Sequence, residues 1–317
     1  MDSDSAQASV RAYWDTRPCD SALSDRERSS QAYFLDIERQ RYGLQPHIPD
    51  ILSMIDWRGK RVLEIGTGVG TDARSIISRG GRYTGINVDR GSTDATLRAL
   101  RVFSLPGIVL QRNATALDFP DDSFDVVYSF GVLHHIPEAE KAVAEIHRVL
   151  KPGGRLLVMV YNRTSINYVV EIMFMRKLAR RLLSLPGAIA LLQWMGLPRE
   201  KLQRHAQLQR ERGGMTDAEW LSRNTDGPDN PYSRVYDAAQ AAELLRAFRI
   251  SVNEVFFFDY RHWGVLGSGL PRAVIRKLGR LWGWHRVVYA EKAATGVSPR
   301  QSSGVRWPDP LAQDGKQ

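Results

Sequence analysis

A glycine-rich turn follows a short apolar stretch in the run VLEIGTGVG at 62–70. Such a turn between a strand and a helix lets the backbone lie close to a bound ligand. The spacing G-x-G-x-G differs from the dinucleotide fingerprint, so a pyrophosphate ligand is not indicated. Glu64 adds a carboxylate that suits a positively charged ligand, such as a sulfonium amino acid. Taken alone, the turn is also compatible with an ordinary strand-to-helix connection. Its residues are Gly66, Thr67, Gly68, Val69 and Gly70.

Three further side chains are candidates for catalysis. His134 and His135 follow an apolar stretch, and a histidine can serve as general base at neutral pH. The alternative is that one histidine packs and the other forms hydrogen bonds around the ligand. Tyr161 ends another apolar stretch and is a candidate for a substrate pocket. Cys19 is the single cysteine, which excludes a disulfide framework and a zinc site built from several thiolates, so no metal is expected.

The elements that position these residues follow from the alternation of short apolar stretches with helical patterns. This alternation predicts an α/β fold with a mostly parallel sheet and crossover helices on both faces. The expected strands are 61–65, 82–88, 108–111, 124–128, 155–161, 250–258 and 285–292. The expected helices are 30–42, 71–79, 93–103, 138–150 and one that starts at a capping box, Asp237 with Gln240, and ends at Phe248.

Four stretches in a fixed order give the chain its resemblance to a known family. They are VLEIGTGVG at 62–70, YTGINVD at 83–89, NATALDFPDDSFDVVYSFGVLHHIP at 113–137 and EIHRVLKPGGRLLVMVY at 145–161. The chain resembles the class I S-adenosylmethionine-dependent methyltransferases across 61–161, and more weakly across 231–292. The resemblance implies a Rossmann-like seven-stranded sheet, S-adenosylmethionine as cofactor, and methyl transfer to an O, N, S or carbon nucleophile.

The resemblance also implies which residues hold the cofactor. The backbone of Gly66 and Gly68 would lie beside the methionine part and Glu64 near its amino group, while the backbone of Ser129 and Phe130 would follow its other side. The expected cofactor-binding residues are Tyr13, Trp14, Glu64, Gly66, Thr67, Gly68, Gly70, Asn87, Asn113, Ala114, Ser129 and Phe130.

Two positions depart from the family's pattern. The family usually has an acid at the position of Asn87 for the ribose hydroxyls, and often an aspartate at the position of Asn113 for the adenine amino group. An amide oxygen still accepts a hydrogen bond but lacks the charge that strengthens it. We expect Asn87 to accept from a ribose hydroxyl; either Asp89 compensates for the missing charge or the affinity is lower. Ala114 would supply a backbone donor to the adenine ring.

The expected domain organisation has helical insertions that form a cap over the core. Tyr13 and Trp14 either fold over the cofactor as an aromatic lid or anchor the N-terminal arm on the core. The expected segments are an N-terminal arm or lid at 1–58, a cofactor-binding core at 59–161, a basic helical insertion at 162–230, the remainder of the core at 231–292 with a second basic insertion at 259–285, and a disordered tail at 293–317.

The net charge of +9 is concentrated in two segments. Residues 163–212 hold ten Lys/Arg against three Glu, and residues 261–286 hold six Lys/Arg and no acid, so the rest of the chain is mildly acidic. No stretch reaches the roughly 18 uninterrupted apolar residues of a membrane span, and the N-terminus lacks the order of a secretory signal. A cytoplasmic protein is expected, with peripheral contact with an acidic membrane as an alternative.

A helix at 169–183 is expected within the first basic segment. Its apolar face would carry Val170, Phe174, Leu178 and Leu182, and its basic face Arg176, Lys177, Arg180 and Arg181. Both insertions should emerge at the active-site edge if strands 155–161 and 250–258 run parallel, and their combined +13 would then face the substrate. The helix is either a lid that packs its apolar face on the core, or a surface that recruits an anionic or membrane-dissolved substrate, with the apolar run 188–195 extending the contact.

Three functions are compatible with this pattern. A methyltransferase acting on a small molecule is favoured, because NPYSRVY at 230–236 and GWHRVVYAEK at 283–292 look similar to bacterial enzymes linked to secondary or quinone-like metabolism. A nucleic-acid methyltransferase is disfavoured, because the Asn/Asp-Pro-Pro-aromatic signature and an appended RNA-binding module are both missing. A protein that binds S-adenosylmethionine without catalysis stays open. The sequence gives no indication of an oligomeric state.

Overall fold

The computed structural model describes residues 3–183, 185–194, 199–212, 215–260 and 269–294. The middle of the second insertion, 261–268, and the expected tail from residue 295 onward lie outside the described residues. Within the described ranges, no helix is both long and apolar enough to cross a membrane. The same ranges contain no group of three or more His, Cys, Asp and Glu side chains that could hold a metal ion.

Seven strands form one sheet in the order β3-β2-β1-β4-β5-β7-β6. The strands from β3 through β5 are parallel to their neighbours, whereas β7 is antiparallel to both β5 and β6. This topology confirms the expected Rossmann-like, mostly parallel sheet. The strands are β1 (Arg61–Ile65), β2 (Arg82–Asn87), β3 (Ile108–Gln111), β4 (Phe124–Phe130), β5 (Leu150–Tyr161), β6 (Arg249–Phe256) and β7 (His285–Glu291).

Twelve α-helices lie within the described residues, together with a 3₁₀ turn at Leu133–His135 and a π-helix at Asn167–Met175. The α-helices are α1 (Ser3–Thr16), α2 (Gln31–Leu44), α3 (His47–Ser53), α4 (Thr71–Ser78), α5 (Arg90–Val102), α6 (Ala139–Val149), α7 (Arg176–Leu182), α8 (Ala188–Trp194), α9 (Arg199–Arg212), α10 (Asp217–Thr225), α11 (Ala238–Leu244) and α12 (Arg272–Trp282).

Several boundaries differ from the sequence-based expectation for local reasons. Helix α5 begins before residue 93 because the carboxylate of Asp89 accepts from the Ser92 amide at 2.6 Å and caps the helix. Strand β4 continues to Phe130 because its last residues still pair with β5. The capping box of Asp237 is present, but its helix ends at Leu244 rather than at Phe248.

Helices cover both faces of the sheet. On one face, α3 and α4 pack on the sheet through buried side chains that include Ile51 and Ile76. On the other face, α6 and α11 contribute Ile146 and Ala241 to a second apolar cluster. The apolar side chains of the sheet are thus divided between two helical layers, which confirms the expected three-layer arrangement.

The two insertions begin at the same edge of the sheet. Tyr161, the last residue of β5, and Phe256, the last residue of β6, both pair with His285 at the start of β7. Strands β5 and β6 therefore run in the same direction, as expected, and both chain segments leave at the edge where the parallel strands have their carboxyl ends. Ligands of open α/β sheets bind beyond this edge.

The helix expected at 169–183 is divided between the π-helix and α7. Its apolar side faces solvent and not the core of the protein. Phe174 and Leu178 are exposed, whereas Glu171 is buried. Glu171 accepts from Asn167 at 2.8 Å and pairs with Arg176. Because Glu171 and Ile172 face inward while Phe174 and Leu178 face solvent, the alternative in which the apolar face packs on the core as a lid is wrong.

The expectation that all of the +13 faces the substrate is also wrong. Arg286 is buried within the sheet and donates to Asn162 and Asn253. Arg280 lies 4.3 Å from the ring centroid of Phe256. Arg280 also forms a salt bridge with Glu254. Three further cations of the first insertion are paired with acids: Arg176 with Glu171, Lys177 with Asp217 and Arg204 with Asp229.

Candidate active site

A cavity lies at the carboxyl ends of β1, β2 and β4 and is bounded on one side by α1. Its wall combines the glycine turn, the ends of the strands and the segment that follows α1. It brings together Trp14, Glu64, Gly66, Thr67, Gly68, Asn87, Asn113, Ala114, Phe130, His135 and Tyr161 from the sequence-predicted residues. It does not reach Tyr13, Gly70, Ser129 or His134.

The glycine turn has the backbone conformation that its sequence predicts. Gly66, Gly68 and Gly70 have φ angles of 78°, 54° and 81°, in the left-handed region that favours glycine. A Cβ on Gly66 would lie 2.2 Å from a methyl group of Val132. Gly70 instead packs α4 against α5, since its Cβ would lie 3.1 Å from Thr96. The turn therefore exposes backbone to the cavity at its first two glycines.

Asn87 holds this turn in place. Its Oδ1 accepts from the Thr67 amide at 2.7 Å, and its Nδ2 donates to the Thr67 hydroxyl at 2.8 Å. Both polar atoms are thus already bonded to the turn, although the side chain lines the cavity. The neighbouring Asp89 also lines the cavity and is buried, with one oxygen capping α5. Asp89 therefore supplies a carboxylate to the cavity wall just after β2, and the expected contact of Asn87 with a ribose hydroxyl stays a prediction.

Glu64 is a buried carboxylate at the cavity wall. It accepts from the Tyr83 hydroxyl at 2.6 Å and has no salt bridge among the described residues. Burial and the nearby carboxylate of Asp72 raise the pKa of Glu64 to about 8. A cationic ligand group beside Glu64 would stabilise its charged form, so this residue fits the ammonium group that the family resemblance assigns to it.

The N-terminal arm is attached to the cavity wall by ionic and aromatic contacts. Arg41 of α2 donates to Asp72 at 2.8 Å and also pairs with Asp20. Trp14 lines the cavity and contacts His135 edge to face, with a centroid distance of 5.2 Å. Tyr13 donates to the Asp226 carbonyl at 2.6 Å. Tyr13 thus anchors the arm, and Trp14 contributes to the cavity wall.

The histidine pair is divided between two environments. His134 is fully buried outside the cavity and packs against Tyr161 with a centroid distance of 3.7 Å and an angle of 32° between the rings. Burial, together with His135 and His285, lowers the pKa of His134 well below its usual value. His135 lines the cavity, and its Nδ1 lies 2.9 Å from the Tyr232 carbonyl oxygen. The structure therefore presents His135, and not His134, to a ligand.

Asp226 is a site residue that the sequence reasoning missed. It lines the cavity, accepts from the Tyr161 hydroxyl at 2.7 Å and lies 3.3 Å from Nε2 of His135. Burial alone would raise its pKa, but His135 and hydrogen bonds from Tyr161 lower the pKa of Asp226 overall. The run TDGPDNP indicates only a turn, and nothing in it shows that its first aspartate faces a histidine far away in the sequence.

A second histidine pair was also missed. Nε2 of His47 and Nδ1 of His285 lie 3.0 Å apart, and His285 lines the cavity. Burial lowers the pKa of His47 to about 3 and that of His285 well below its usual value. Both rings are therefore neutral, and they share one hydrogen. This pair gives the cavity an uncharged polar edge beside the aromatic ring of Phe130.

Comparison with known proteins finds methyltransferases that are similar to one part of this chain. A model described as a methyltransferase domain matches residues 63–158. The ubiquinone/menaquinone biosynthesis C-methyltransferases UbiE of Citrobacter koseri and of an Enterobacter species are each 40% identical over 116 residues, covering 34% of this chain and 45% of the relative. The chain therefore spans less than half the length of these curated relatives.

Two solved structures have a similar fold over most of the chain. One is the complex between the Haloferax volcanii Trm112 methyltransferase activator and the putative methyltransferase, with a TM-score of 0.51, 14% identity and coverage of 87% of this chain and 99% of that chain. The other is the PH0226 protein of Pyrococcus horikoshii, with a TM-score of 0.50, 15% identity and coverage of 89% and 98%. At such identities the likeness is one of fold.

Replacing Gly68 tests the position of the cofactor. We expect Gly68→Val to lower the affinity for S-adenosylhomocysteine by at least about tenfold, roughly 1.4 kcal/mol. A Cβ at Gly68 would lie 3.3 Å from Cβ and from the carbonyl oxygen of Cys19, so valine would displace the turn and the Cys19 segment, which both line the cavity. Isothermal titration calorimetry measures the affinity. Gly59→Ala is the matched control for backbone strain, since Gly59 has a φ of 69° and open space where a Cβ would lie. Unchanged binding in Gly68→Val would contradict the assignment.

The raised pKa of Glu64 predicts proton release on binding. The carboxyl is protonated in the free protein below about pH 8, and a ligand ammonium favours the charged form, so S-adenosylhomocysteine should release up to about one proton at pH 7. Calorimetry in buffers of different ionisation enthalpy counts these protons. Glu64→Gln should abolish the release and weaken binding. Equal proton release in both proteins would show that Glu64 does not titrate with the ligand.

Proposed function

We propose that the class I S-adenosylmethionine-dependent methyltransferase domain of this chain transfers a methyl group from its cofactor to a small, ring-shaped organic acceptor. The observation that carries the proposal is one cavity with two kinds of wall. The glycine turn and the carboxylates Glu64 and Asp89 form its polar part. Trp14, Phe130 and Tyr161 form an aromatic part in the same cavity.

The polar part of the cavity fits S-adenosylmethionine. Glu64 would hold the ammonium group, the turn from Gly66 to Gly68 would lie beside the methionine part, and Asp89 would accept from the ribose. Asn113 folds its own backbone by accepting from the Thr115 amide at 3.0 Å, which presents the Ala114 segment to the adenine. When bound, the cofactor supplies a sulfonium methyl group that a nucleophile can displace in line.

The aromatic part of the cavity fits a flat acceptor. Trp14, Phe130, Met159 and Tyr161 line it with large apolar surfaces, and the neutral pair of His285 offers a polar contact. Such a wall holds a ring and excludes water, which keeps the two reactants in a productive geometry. The curated relatives are named for C-methylation in quinone biosynthesis, and this supports a quinone-like ring as the acceptor. An acceptor of this type dissolves in membranes, so the protein would work as a peripheral membrane enzyme.

His135 and Asp226 form the pair that can hold the acceptor's proton. The Tyr232 carbonyl accepts from Nδ1 of His135, so Nε2 is the ring nitrogen that can take or give a proton, and it lies 3.3 Å from Oδ2 of Asp226. A proton placed between these atoms replaces a contact of two lone pairs by a charge-assisted hydrogen bond. The pair can therefore take a proton from an acceptor hydroxyl, while Tyr161 orients the carboxylate through Oδ1.

A methyl-transfer assay tests the proposed function. Purified protein is incubated with isotope-labelled S-adenosylmethionine and hydroquinones, naphthols, other phenols or unmodified RNA, and products are identified by mass spectrometry. We expect label in a ring acceptor and none in RNA. Label in RNA would overturn the proposed acceptor class. Cofactor binding without transfer to any acceptor or to a cell extract would instead favour a non-catalytic binding protein.

Asp226→Asn tests the proton-holding pair. The amide keeps the shape of the side chain and still accepts from Tyr161, but it removes the charge that stabilises a proton on His135. We expect the maximal rate of methyl transfer to fall by about 10²-fold or more, with the affinity for S-adenosylhomocysteine unchanged within about twofold.

Asp229→Asn is the matched control, because Asp229 lies in the same loop and pairs with Arg17 and Arg204 outside the cavity. Rates are compared from pH 5 to pH 10. A fall of equal size at every pH in both variants would show that the loop acts through structure alone.

A further inference from the structure

We propose that two helical segments at the carboxyl-terminal edge of the sheet form a docking surface for an anionic lipid bilayer. We call this surface the lipid-facing patch; its apolar residues are Val169, Val170, Phe174, Met175 and Leu178 of the first insertion and Val274, Leu281 and Trp282 of α12. The inference deepens the proposed function, on which it rests, because it names the surface through which a membrane-dissolved acceptor would be reached.

The first segment turns its apolar side chains to solvent because polar contacts hold its other side. Phe174 is 65% exposed and Leu178 is 50% exposed. On the inner side, Arg176 bridges the buried Glu171 and the Asn224 carbonyl, to which it donates at 2.8 Å. Arg180 lies over the ring of Trp220 at 5.3 Å. Rotating the apolar side of this segment inward would break the hydrogen bond from Arg176 to Asn224 and move Arg180 away from Trp220.

Helix α12 shows the same arrangement independently. Gly279 packs directly on the strand end, since a Cβ there would lie 3.0 Å from the Phe257 amide nitrogen. Arg280 lies on the ring of Phe256 and pairs with Glu254 at 2.8 Å. Trp282 is 48% exposed. The side of α12 that contacts β6 is thus small and basic, and its large apolar side chains stay in solvent. Several exposed apolar side chains on one helix indicate a binding surface.

The two segments start from the same edge of the sheet. Asn162, where the first insertion begins, donates from Nδ2 to the Gly283 carbonyl at 2.8 Å, directly after the end of α12. Ile172 of the π-helix belongs to the same apolar cluster as Trp284. This is also the edge at which the cavity lies. A bilayer on the patch would therefore face the same end of the sheet as the cavity.

The positive charge around the lipid-facing patch favours an anionic bilayer as its binding partner. Arg163, Arg272 and Lys277 are exposed cations of the two insertions. Although Arg176, Lys177 and Arg204 are paired with acids, the segment 163–212 carries ten Lys/Arg against three Glu. A second copy of this chain would bring the same positive charge to the contact, whereas anionic lipid headgroups are complementary to it. Apolar side chains flanked by cations match the pattern of helices that lie in the interface of acidic membranes.

Co-sedimentation of the full chain with vesicles tests the patch. The vesicles contain phosphatidylcholine with 30% phosphatidylglycerol, or phosphatidylcholine alone, at about 50 mM and about 500 mM salt, where screening of exposed charges differs strongly. We expect binding to the anionic vesicles that is at least fivefold stronger at low salt than at high salt, and weak binding to neutral vesicles. Binding to neither vesicle, or salt-independent binding, would overturn the proposal.

A triple variant, Phe174→Ser with Leu178→Ser and Trp282→Ser, should lower the partition into anionic vesicles at least tenfold. Ile108→Ser is the matched control, because Ile108 is 57% exposed at the amino end of β3, away from the patch. Thermal unfolding checks that both variants fold, and size-exclusion chromatography reveals a dimer.

Equal partition of the two variants, or a dimer that only the triple variant loses, would overturn the proposal. The vesicle assay contains neither cofactor nor acceptor. Its failure is therefore separate from a failure of methyl transfer, which is measured with a water-soluble hydroquinone.

Discussion

One buried cation joins the N-terminal arm to the core of the protein at the cavity wall. Arg41 of α2 has 12% of its side chain exposed and bridges Asp20, in the segment after α1, and Asp72, in the first turn of α4. Two carboxylates and a guanidinium at this depth stabilise the fold only as a set, since removing one partner of a buried pair typically costs about 3–5 kcal/mol. The N-terminal arm is therefore an integral part of the cavity wall. The hydroxyls of Tyr42 and Tyr128, at 3.0 and 2.9 Å from Asp72, complete its hydrogen bonding.

Around this centre, the cavity separates charge from apolar surface. Glu64 and Asp89 lie towards β1 and β2, and the aromatic side chains lie towards β4 and β5. A charged cofactor and a neutral ring would each meet the wall that suits them, so binding alone would bring the methyl group and the acceptor together. For a displacement reaction, such positioning supplies much of the rate acceleration. The proposed reaction would then need only one further group, the pair of His135 and Asp226, to take the acceptor's proton.

The sequence predicts those parts of the molecule that local pattern determines. The strands and the glycine turn with its positive φ angles are confirmed, because they depend on short-range periodicity and on glycine's freedom at φ above zero. The common direction of β5 and β6 is also confirmed, but it was expected from the family resemblance and not from local pattern. The orientation of the first insertion's helix was not predictable. Its apolar periodicity is real, but the buried contact of Glu171 with Arg176 decides which side faces inward. The place of Asp226 in the site was not predictable either, because its partner His135 is remote in the sequence.

The arm and the first insertion are joined directly across the cavity. Tyr13 donates to the Asp226 carbonyl, and Arg17 lies 3.5 Å from Asp229, so the arm contacts the loop that carries the Asp226 carboxylate at two points. Displacing the arm would remove these two contacts, whereas the Asp226 carboxylate would keep Tyr161 and His135, and Asp229 would keep Arg204. The loop is thus held from two sides, and loss of the arm's contacts alone would leave the Asp226 carboxylate attached to the core of the protein.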